Sequence, residues 1–286
     1  GRIVSSYSGN WTECQSGTQN TLTAVTYGGG AYVAVGLGGT IWRSTDGLSW
    51  AVQPAGTGKD LTAVSYGAGA FVAAGGDRAA LVSRDGSSWD SHLIGEPPFQ
   101  IGPFSAGLVW AFDRFYATIA SFRFDAQWVT YSSTNGINWI RETNLGGDTL
   151  LDAASNGDQT VFARVDGGIE TDSVTLSTNG LNWTYSVVST GAVMRTVSFG
   201  NGLFVAGGAN GALARSTNGV TWEVVRGGDS NLELVSAVEG GGTYVFVGST
   251  ILSSSNLVDF SRKDGLSTGL PIPLAFLGAA YGNGVF

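Results

Sequence analysis

A short motif recurs along the chain and constrains the fold more than any other feature. Clear copies occupy 44–50, 83–89, 133–139, 177–183 and 216–222, and two degenerate copies lie at 254–260 and 6–11. Each clear copy begins with Ser, carries Asp-Gly or Asn-Gly, and ends in Trp. The aromatic residues that end the seven copies lie at 11, 50, 89, 139, 183, 222 and 260, in steps of 39, 39, 50, 44, 39 and 38. A period near 40 residues is typical of β-propeller blades.

Each repeat divides into four short strands, here called a, b, c and d. In the first complete repeat, the sequence predicts strand a at 22–27, strand b at 32–36, strand c at 41–44, and strand d from Trp50. Short β-rich runs separated by Gly and Asp-Gly turns are typical of hairpins. We therefore expect an all-β protein, a seven-bladed β-propeller of four-stranded antiparallel blades.

The two ends of the chain carry complementary parts of one repeat. Residues 2–6 resemble strand c, and residues 274–286 resemble strands a and b. Pairing of these strands would close the ring and remove exposed sheet edges. We expect a single domain over 1–286, with a closing blade from about 1–14 and 274–286. Because strand b of that blade is short, we also expect the chain to belong to a longer protein.

The motif has a local physical explanation. The Asp or Asn side chain accepts backbone N–H groups inside the c–d turn, Gly supplies a positive φ, and Trp packs between neighbouring blades. We therefore assign structural roles to Asp46, Trp50, Asp85, Trp89, Asn135, Trp139, Asn179, Trp183, Asn218 and Trp222.

This motif resembles the Asp-box repeat of the bacterial neuraminidase type. The resemblance covers nearly the whole chain and implies the propeller fold. It says little about activity, because that repeat is found in sialidases, other glycosidases, lectins, photosystem assembly factors and phage or surface proteins.

Composition excludes several classes of partner. Charged residues are 13% and hydrophobic residues 43%, so the chain can bury a large core. A net charge of -8 argues against nucleic acid and anionic membranes. Cys14 stands alone, which excludes an internal disulfide and a cysteine zinc site. No apolar run approaches the ~20 residues of a membrane helix. We expect no membrane insertion, no metal and no cofactor.

Departures from the period indicate where a ligand would bind. The two longer steps place insertions in the loops at 95–104, 121–127 and 167–172, on the face formed by the b–c and d–a loops. Aromatic side chains beside Arg and carboxylates suit sugar or peptide recognition. Alternatively, the Pro and Phe side chains simply pack the insertions onto the blades. The candidate ligand-binding residues are Phe99, Phe104, Phe122, Arg123, Phe124, Asp125, Trp128, Glu170 and Asp172.

Catalytic residues are harder to find. The resemblance to sialidases implies three Arg, a Tyr–Glu pair and an acidic Asp. The Arg candidates Arg78, Arg123 and Arg226 lie in non-matching blades, and no Tyr–Glu pair is apparent. A two-carboxylate glycosidase needs acids about 5–9.5 Å apart. The candidates Asp77, Asp125, Glu170 and Asp172 leave that possibility open. His92, in outer strand d, is predicted to be structural.

The sequence thus favours a non-catalytic binding or structural module that recognises a glycan or a protein on the b–c and d–a loop face. Self-assembly or linkage to further domains is also compatible with it. Scarce Lys and abundant Thr, Ser and Gly favour an extracellular, cell-surface or virion location. A glycoside hydrolase and an assembly factor for a larger complex remain alternatives.

Overall fold

The computed structural model of the chain consists mainly of short β-strands and tight turns. It describes all residues except 8, 15, 96–100, 122–126, 144, 146–148, 166–171, 228–230 and 264–275. For residues 101–106, 120–121, 127–128, 149 and 165 it describes the backbone but not the side chains. The chain divides into two compact units, Gly1–Leu150 with Ala280–Phe286, and Leu151–Ala279. Among the described residues, no helix has the length and hydropathy needed to cross a membrane.

Antiparallel four-stranded sheets follow one another along the chain, and within each sheet the strands lie side by side in chain order. The first strands, β1 (Ile3–Tyr7) and β2 (Asn10–Cys14), pair with each other. Blade 1 contains β3 (Leu22–Gly28), β4 (Ala31–Gly36), β5 (Thr40–Ser44) and β6 (Ala51–Gln53). Blade 2 contains β7 (Leu61–Gly67), β8 (Ala70–Gly75), β9 (Ala79–Ser83) and β10 (Asp90–Leu93). Blade 3 contains β11 (Ile101–Ala111), β12 (Arg114–Ser121), β13 (Gln127–Ser133) and β14 (Ile140–Arg141).

The remaining three blades have the same strand order. Blade 4 contains β15 (Thr149–Ser155), β16 (Thr160–Val165), β17 (Ser173–Ser177) and β18 (Thr184–Val187). Blade 5 contains β19 (Met194–Gly200), β20 (Leu203–Gly208), β21 (Leu213–Ser216) and β22 (Glu223–Arg226). Blade 6 contains β23 (Leu234–Gly240), β24 (Thr243–Gly248), β25 (Ile251–Ser254) and β26 (Ser261–Lys263).

The described residues form six four-stranded blades, one fewer than the seven predicted. Residues 276–281, predicted as strand a of a closing blade, form no strand. Two of their N–H groups bond elsewhere: Phe276 N–H donates to the Gly248 carbonyl (2.7 Å) and Ala279 N–H to Ser236 Oγ (3.2 Å). The sheet of β1 and β2 has two strands.

Strand bounds in the regular repeats follow the prediction closely. Strands a, b and c of blade 1 lie within one residue of their predicted positions. Strand d begins at Ala51 and not at Trp50, because the Trp50 indole N–H donates to the Gly47 carbonyl (3.1 Å) and so belongs to the turn.

The first insertion differs from its prediction. Ile101–Phe104 was predicted within a d–a loop, but β11 begins at Ile101 and runs for 11 residues. Its pairing with β12 contains register shifts between Ile101 and Ser105 and between Ser105 and Gly107. Pro103 lies inside this irregular stretch, where a missing N–H is tolerated. Part of the insertion therefore lengthens a hairpin instead of a loop.

Neighbouring blades within each unit share their hydrophobic cores. Val33 and Ile41 of blade 1 and Leu61 and Phe71 of blade 2 belong to one cluster and are at most 1% exposed. All six residues of β4 are buried, as expected for a strand covered on both faces. Burying each such large side chain contributes about 1.5–3 kcal/mol, so the core shared by neighbouring blades is an important source of stability.

Candidate binding surface

The c–d turn is a network of side-chain-to-backbone hydrogen bonds. In blade 1, Asp46 Oδ1 accepts the N–H groups of Leu48 and Ser49, both at 2.8 Å. Ser44 Oγ accepts the Gly47 N–H (2.8 Å) and donates to Asp46 Oδ1 (2.9 Å). The turn hydrogen bonds that we predicted from the sequence are therefore present.

The same acceptor geometry recurs in the other blades. Asp85 Oδ1 accepts two backbone N–H groups at 2.8 and 3.0 Å, and Asn135 Oδ1 accepts two at 2.9 and 3.0 Å. Asn179, Asn218 and Asn256 each accept two at 2.9 Å. Asp and Asn are interchangeable here because each supplies one accepting oxygen.

The turns of blades 2, 3 and 5 also contact the preceding blade. A Cβ on Gly86 of blade 2 would lie 2.9 Å from Val33 Cγ2 of blade 1, and one on Gly136 of blade 3 would lie 2.5 Å from Val72 Cγ2 of blade 2. Trp89 packs against the core that blades 1 and 2 share. These residues hold blades together.

Hydrogen bonding also determines the ionisation of the motif carboxylates. Backbone N–H groups of Ser49 and Leu48 lower the pKa of Asp46 to about 2, and those of Ser88 and Ser87 lower the pKa of Asp85. Both carboxylates are ionised at neutral pH and occupied by the backbone. They are poorly suited to donate or accept a proton in catalysis.

The opposite face carries the b–c turns. In three blades both central residues of the turn have positive φ, as in a type I′ turn. The central pairs are Gly38-Gly39 in blade 1 (φ 65 and 71), Asp77-Arg78 in blade 2 (φ 55 and 62) and Asn210-Gly211 in blade 5 (φ 58 and 70). The central pair in blade 2 contains neither Gly nor Asn, although those residues adopt this conformation with least strain.

Asp77 and Arg78 belong to a charged group on this face. Asp77 forms an ion pair with Lys59, and both side chains are more than half exposed. Arg78 Nη1 donates to the Gly95 carbonyl (2.9 Å) and more weakly to the Ile94 carbonyl (3.3 Å). The guanidinium thus spans from the b–c turn to the end of strand d, and its remaining N–H groups donate to no described residue. We call Lys59, Asp77 and Arg78 the charged patch.

Asp172 is the predicted ligand-binding residue whose side chain the structure describes. Its carboxylate accepts the Thr190 hydroxyl (2.9 Å) and the Gly191 N–H (2.6 Å). It therefore ties the b–c loop of blade 4 to the following d–a loop.

The other predicted ligand-binding residues are not brought together by the described structure. Phe99, Phe122, Arg123, Phe124, Asp125 and Glu170 lie outside the described residues. Phe104 and Trp128 lie in β11 and β13, and their side chains are likewise outside the description. Their role in binding stays a prediction.

An interblade carboxylate escaped the sequence analysis. Asp152 occupies the place in strand a where blades 1 and 2 have Ala24 and Ala63. It accepts the Thr196 hydroxyl (2.5 Å) and the Val197 N–H (3.2 Å) from strand a of blade 5. Although the residue keeps some exposed surface, enclosure of its carboxylate raises the pKa to about 6. In the sequence, the signal for this site was one acidic residue within the otherwise apolar segment 150–154.

The described part of the chain contains no group of three His, Cys, Asp or Glu side chains placed to hold a metal ion. His92 lies in β10, an outer strand, as predicted. Asp77, one of the open glycosidase candidates, is paired with Lys59.

Comparison with known proteins gives a fold and no family. No family model and no curated protein matches the chain. Solved structures do match. YCF48 bound to D1 peptide is 15% identical over 86% of this chain and 81% of that one, with a TM-score of 0.60. The WD40 propeller domain of Doa1 is 12% identical over 97% and 89%, with a TM-score of 0.65.

A third similar structure belongs to an enzyme. Virginiamycin B lyase from Staphylococcus aureus is 9% identical over 88% of this chain and 86% of that one, with a TM-score of 0.67. The fold is a β-propeller. At such identities the likeness carries no activity from one protein to another.

Proposed function

We propose that this propeller is a non-catalytic protein-binding module, and that the b–c and d–a loop face around the charged patch contacts the partner. The observation that carries the proposal is the turn Asp77-Arg78. Two charged residues stand at positive φ where the equivalent turns have Gly or Asn. For Arg78 this conformation costs about 1–2 kcal/mol, and such strain concentrates at functional sites.

The chemistry of the patch suits a polypeptide. The remaining Arg78 N–H groups match carbonyl or carboxylate oxygens, and the exposed Lys59 and Asp77 add charges of both signs. Arg is also enriched among residues that dominate binding energy at interfaces. One structurally similar propeller, YCF48, was solved with a peptide bound.

The proposal is tested by placing a photo-crosslinking amino acid at position 77, with position 68 as control. Ala68 is exposed in the a–b turn of the same blade, on the opposite face. We expect a defined protein adduct from position 77 only. The captured protein should then bind Arg78→Asn at least about tenfold more weakly than wild type, and Ala68→Asn with unchanged affinity.

Equal crosslinking from both positions, or equal affinity of both variants, contradicts the proposal. A glycan that binds the loop face without turnover would instead indicate a lectin, and hydrolysis of that glycan a glycosidase.

We further infer that the architecture is that of a seven-bladed Asp-box propeller in which β1, β2 and residues 282–286 are parts of a seventh blade. Ser6 and Phe286 donate to each other's carbonyl, at 3.0 and 3.1 Å. Gly282 bridges Val285 as Gly28 pairs with Ala31 in blade 1.

The hydroxyl contacts of the two ends support this inference. Tyr32 of blade 1 donates to the Gly282 carbonyl, and Tyr244 of blade 6 donates to the Gly200 carbonyl of blade 5. Residues 282–286 therefore contact blade 1 in the same way that the a–b hairpin of blade 5 contacts blade 6. A protected Ser6 amide in hydrogen exchange would support the inference, and rapid exchange would oppose it.

A further inference from the structure

Seven Asn-Gly dipeptides occur in the chain. An asparagine followed by glycine is prone to lose its side-chain amide, because no side chain on the glycine hinders attack of its backbone nitrogen on the asparagine Cγ. The seven pairs begin at Asn135, Asn156, Asn179, Asn201, Asn210, Asn218 and Asn283. The structure describes all seven, and their hydrogen bonding differs.

The asparagines of the repeat turn are restrained by three hydrogen bonds. Asn179 Oδ1 accepts two backbone N–H groups, both at 2.9 Å. The nitrogen that would attack its Cγ, that of Gly180, donates its N–H to Ser177 Oγ (2.9 Å). The same three bonds recur at Asn135 and Asn218. All three bonds must break before the glycine nitrogen can reach the side chain.

The pair Asn201-Gly202, in the a–b turn of blade 5, has none of these restraints. Both residues are exposed, and Asn201 has a φ of 49. No described residue bonds the Asn201 side chain or accepts the Gly202 N–H. A Cβ on Gly202 would meet nothing within 4 Å, so the turn has room to change its conformation.

The other three pairs are more restricted. The Gly157 N–H donates to Ser155 Oγ (3.2 Å). Gly211 is buried, and a Cβ on it would lie 3.0 Å from Leu232. A Cβ on Gly284 would lie 3.5 Å from the Tyr7 ring. Asn201-Gly202 therefore combines full exposure with unbonded reacting groups and open surroundings.

We propose that Asn201 is a site of spontaneous deamidation in the folded protein, and that the motif serine protects the asparagine of the repeat turn from the same reaction. The Gly202 nitrogen bonds to Asn201 Cγ while the Cγ–Nδ2 bond breaks. The Gly202 N–H proton leaves with the amide nitrogen as ammonia. Water then opens the cyclic succinimide at either carbonyl, which yields aspartate or isoaspartate. The proposal is independent of the charged patch.

The modification changes the junction between blades 5 and 6. Gly200, the residue before Asn201, is covered by Glu239 of blade 6, and its carbonyl accepts the Tyr244 hydroxyl. Deamidation creates a second carboxylate next to this contact, and like charges repel. The isoaspartate product also lengthens the backbone of the turn by one carbon.

Two identical tripeptides provide an internal comparison. Asn179-Gly180-Leu181 and Asn201-Gly202-Leu203 have the same sequence and lie in the same unit. The folded chain is incubated in neutral and in mildly alkaline buffer, and peptide mapping by mass spectrometry measures aspartate and isoaspartate at both positions. We expect Asn201 to react at least about tenfold faster, because the hydrogen bonds at Asn179 add to its barrier. The rate at Asn201 should rise with pH, since the attacking nitrogen must lose its proton.

Unfolding and substitution separate structure from local sequence. In guanidinium chloride the two rates should become nearly equal. Ser177→Ala removes the acceptor of the Gly180 N–H and should raise the rate at Asn179 several-fold, with the rate at Asn201 unchanged. Ser254→Ala is the matched control: it removes the same hydroxyl from the blade 6 turn, which has no Asn-Gly, and should change neither rate.

Equal rates at Asn179 and Asn201 in the folded chain would overturn the proposal. A difference that persists undiminished in guanidinium chloride would also overturn it, because local sequence would then be the cause. The protective role of the serine fails if Ser177→Ala leaves the rate at Asn179 unchanged, or if Ser254→Ala raises that rate equally.

Discussion

At the scale of single residues, the motif Asp and Asn side chains fold the chain locally. Asp46 is exposed, yet one oxygen holds two backbone N–H groups and one hydroxyl. Because all partners lie within three residues in sequence, the turn could be predicted without any tertiary information. The same reasoning explains why Asn replaces Asp in most blades.

We expect Asp46→Ala to lower the free energy of unfolding by about 1–2 kcal/mol, since two backbone N–H groups lose their acceptor. Asp46→Asn, the matched control, should stay within about 0.5 kcal/mol, because Asn135 and Asn218 make the same bonds. Urea unfolding of the three proteins measures both values. Equal losses in the two variants would contradict the assigned role.

Asp152 should make stability depend on pH. Its folded pKa of about 6 lies above the usual aspartate value of 3.8, so the folded state binds the proton more tightly. The contribution of Asp152 to the free energy of unfolding is therefore largest at low pH, and it falls as the pH rises from about 4 to about 6. We expect wild type to lose up to about 3 kcal/mol over this range relative to Asp152→Asn. Asp158→Asn, a substitution at an exposed position of the same unit, should have the same free energy of unfolding as wild type at each pH, as measured by urea unfolding.

At the scale of strands and turns, the sequence predicted what repeats and missed what departs from the repeat. Strands of blade 1 lie within one residue of their predicted bounds because Gly and Asp-Gly punctuate them. The sequence predicted a loop at Ile101–Phe104 because the step from Trp89 to Trp139 exceeds the regular spacing, but pairing with β12 makes part of that excess a strand. Asp152 was missed because its partners, Thr196 and Val197, are distant in sequence.

Two glycines isolate the contact between blades. Gly136 and Gly69 both have φ +73, but a Cβ on Gly136 meets Val72 of the preceding blade while one on Gly69 meets nothing within 4 Å. We expect Gly69→Ala to cost about 1 kcal/mol from backbone strain alone. Gly136→Ala should cost a further 1–3 kcal/mol or so from overpacking. Thermal unfolding measures the difference, and equal losses would mean that the turn does not hold the blades together.

At the scale of the whole molecule, contacts between the chain ends bring together residues about 250 positions apart. Tyr32 donates to the Gly282 carbonyl and to the Val285 carbonyl (2.8 Å) from a buried position. Burial raises the pKa of this phenol to about 12, so it stays a donor across the physiological range. The sequence predicted that the ends meet, but the number of blades depended on residues 276–281, of which Phe276 and Ala279 donate backbone hydrogen bonds to blade 6.

We expect Tyr32→Phe to cost about 1–2 kcal/mol, because a buried carbonyl loses its donor. Tyr244→Phe, which removes the equivalent hydroxyl in blade 6, should cost a similar amount. Hydrogen exchange should separate them: only Tyr32→Phe should speed exchange in 3–7 and 282–286. Faster exchange of these segments in both variants would show that the Tyr32 hydroxyl does not act locally at the contact between the chain ends.

The contact between three of the motif turns and the preceding blade has an evolutionary consequence. Gly86 meets Val33, Gly136 meets Val72 and Gly219 meets Val161, so the same small surface meets the same branched side chain at three junctions. A blade with this turn can pack against any other blade that presents the same branched side chain. Duplication or loss of a segment of about 40 residues among these blades would recreate a junction of the same chemistry. Such genes can gain or shed whole repeats without first evolving new interfaces.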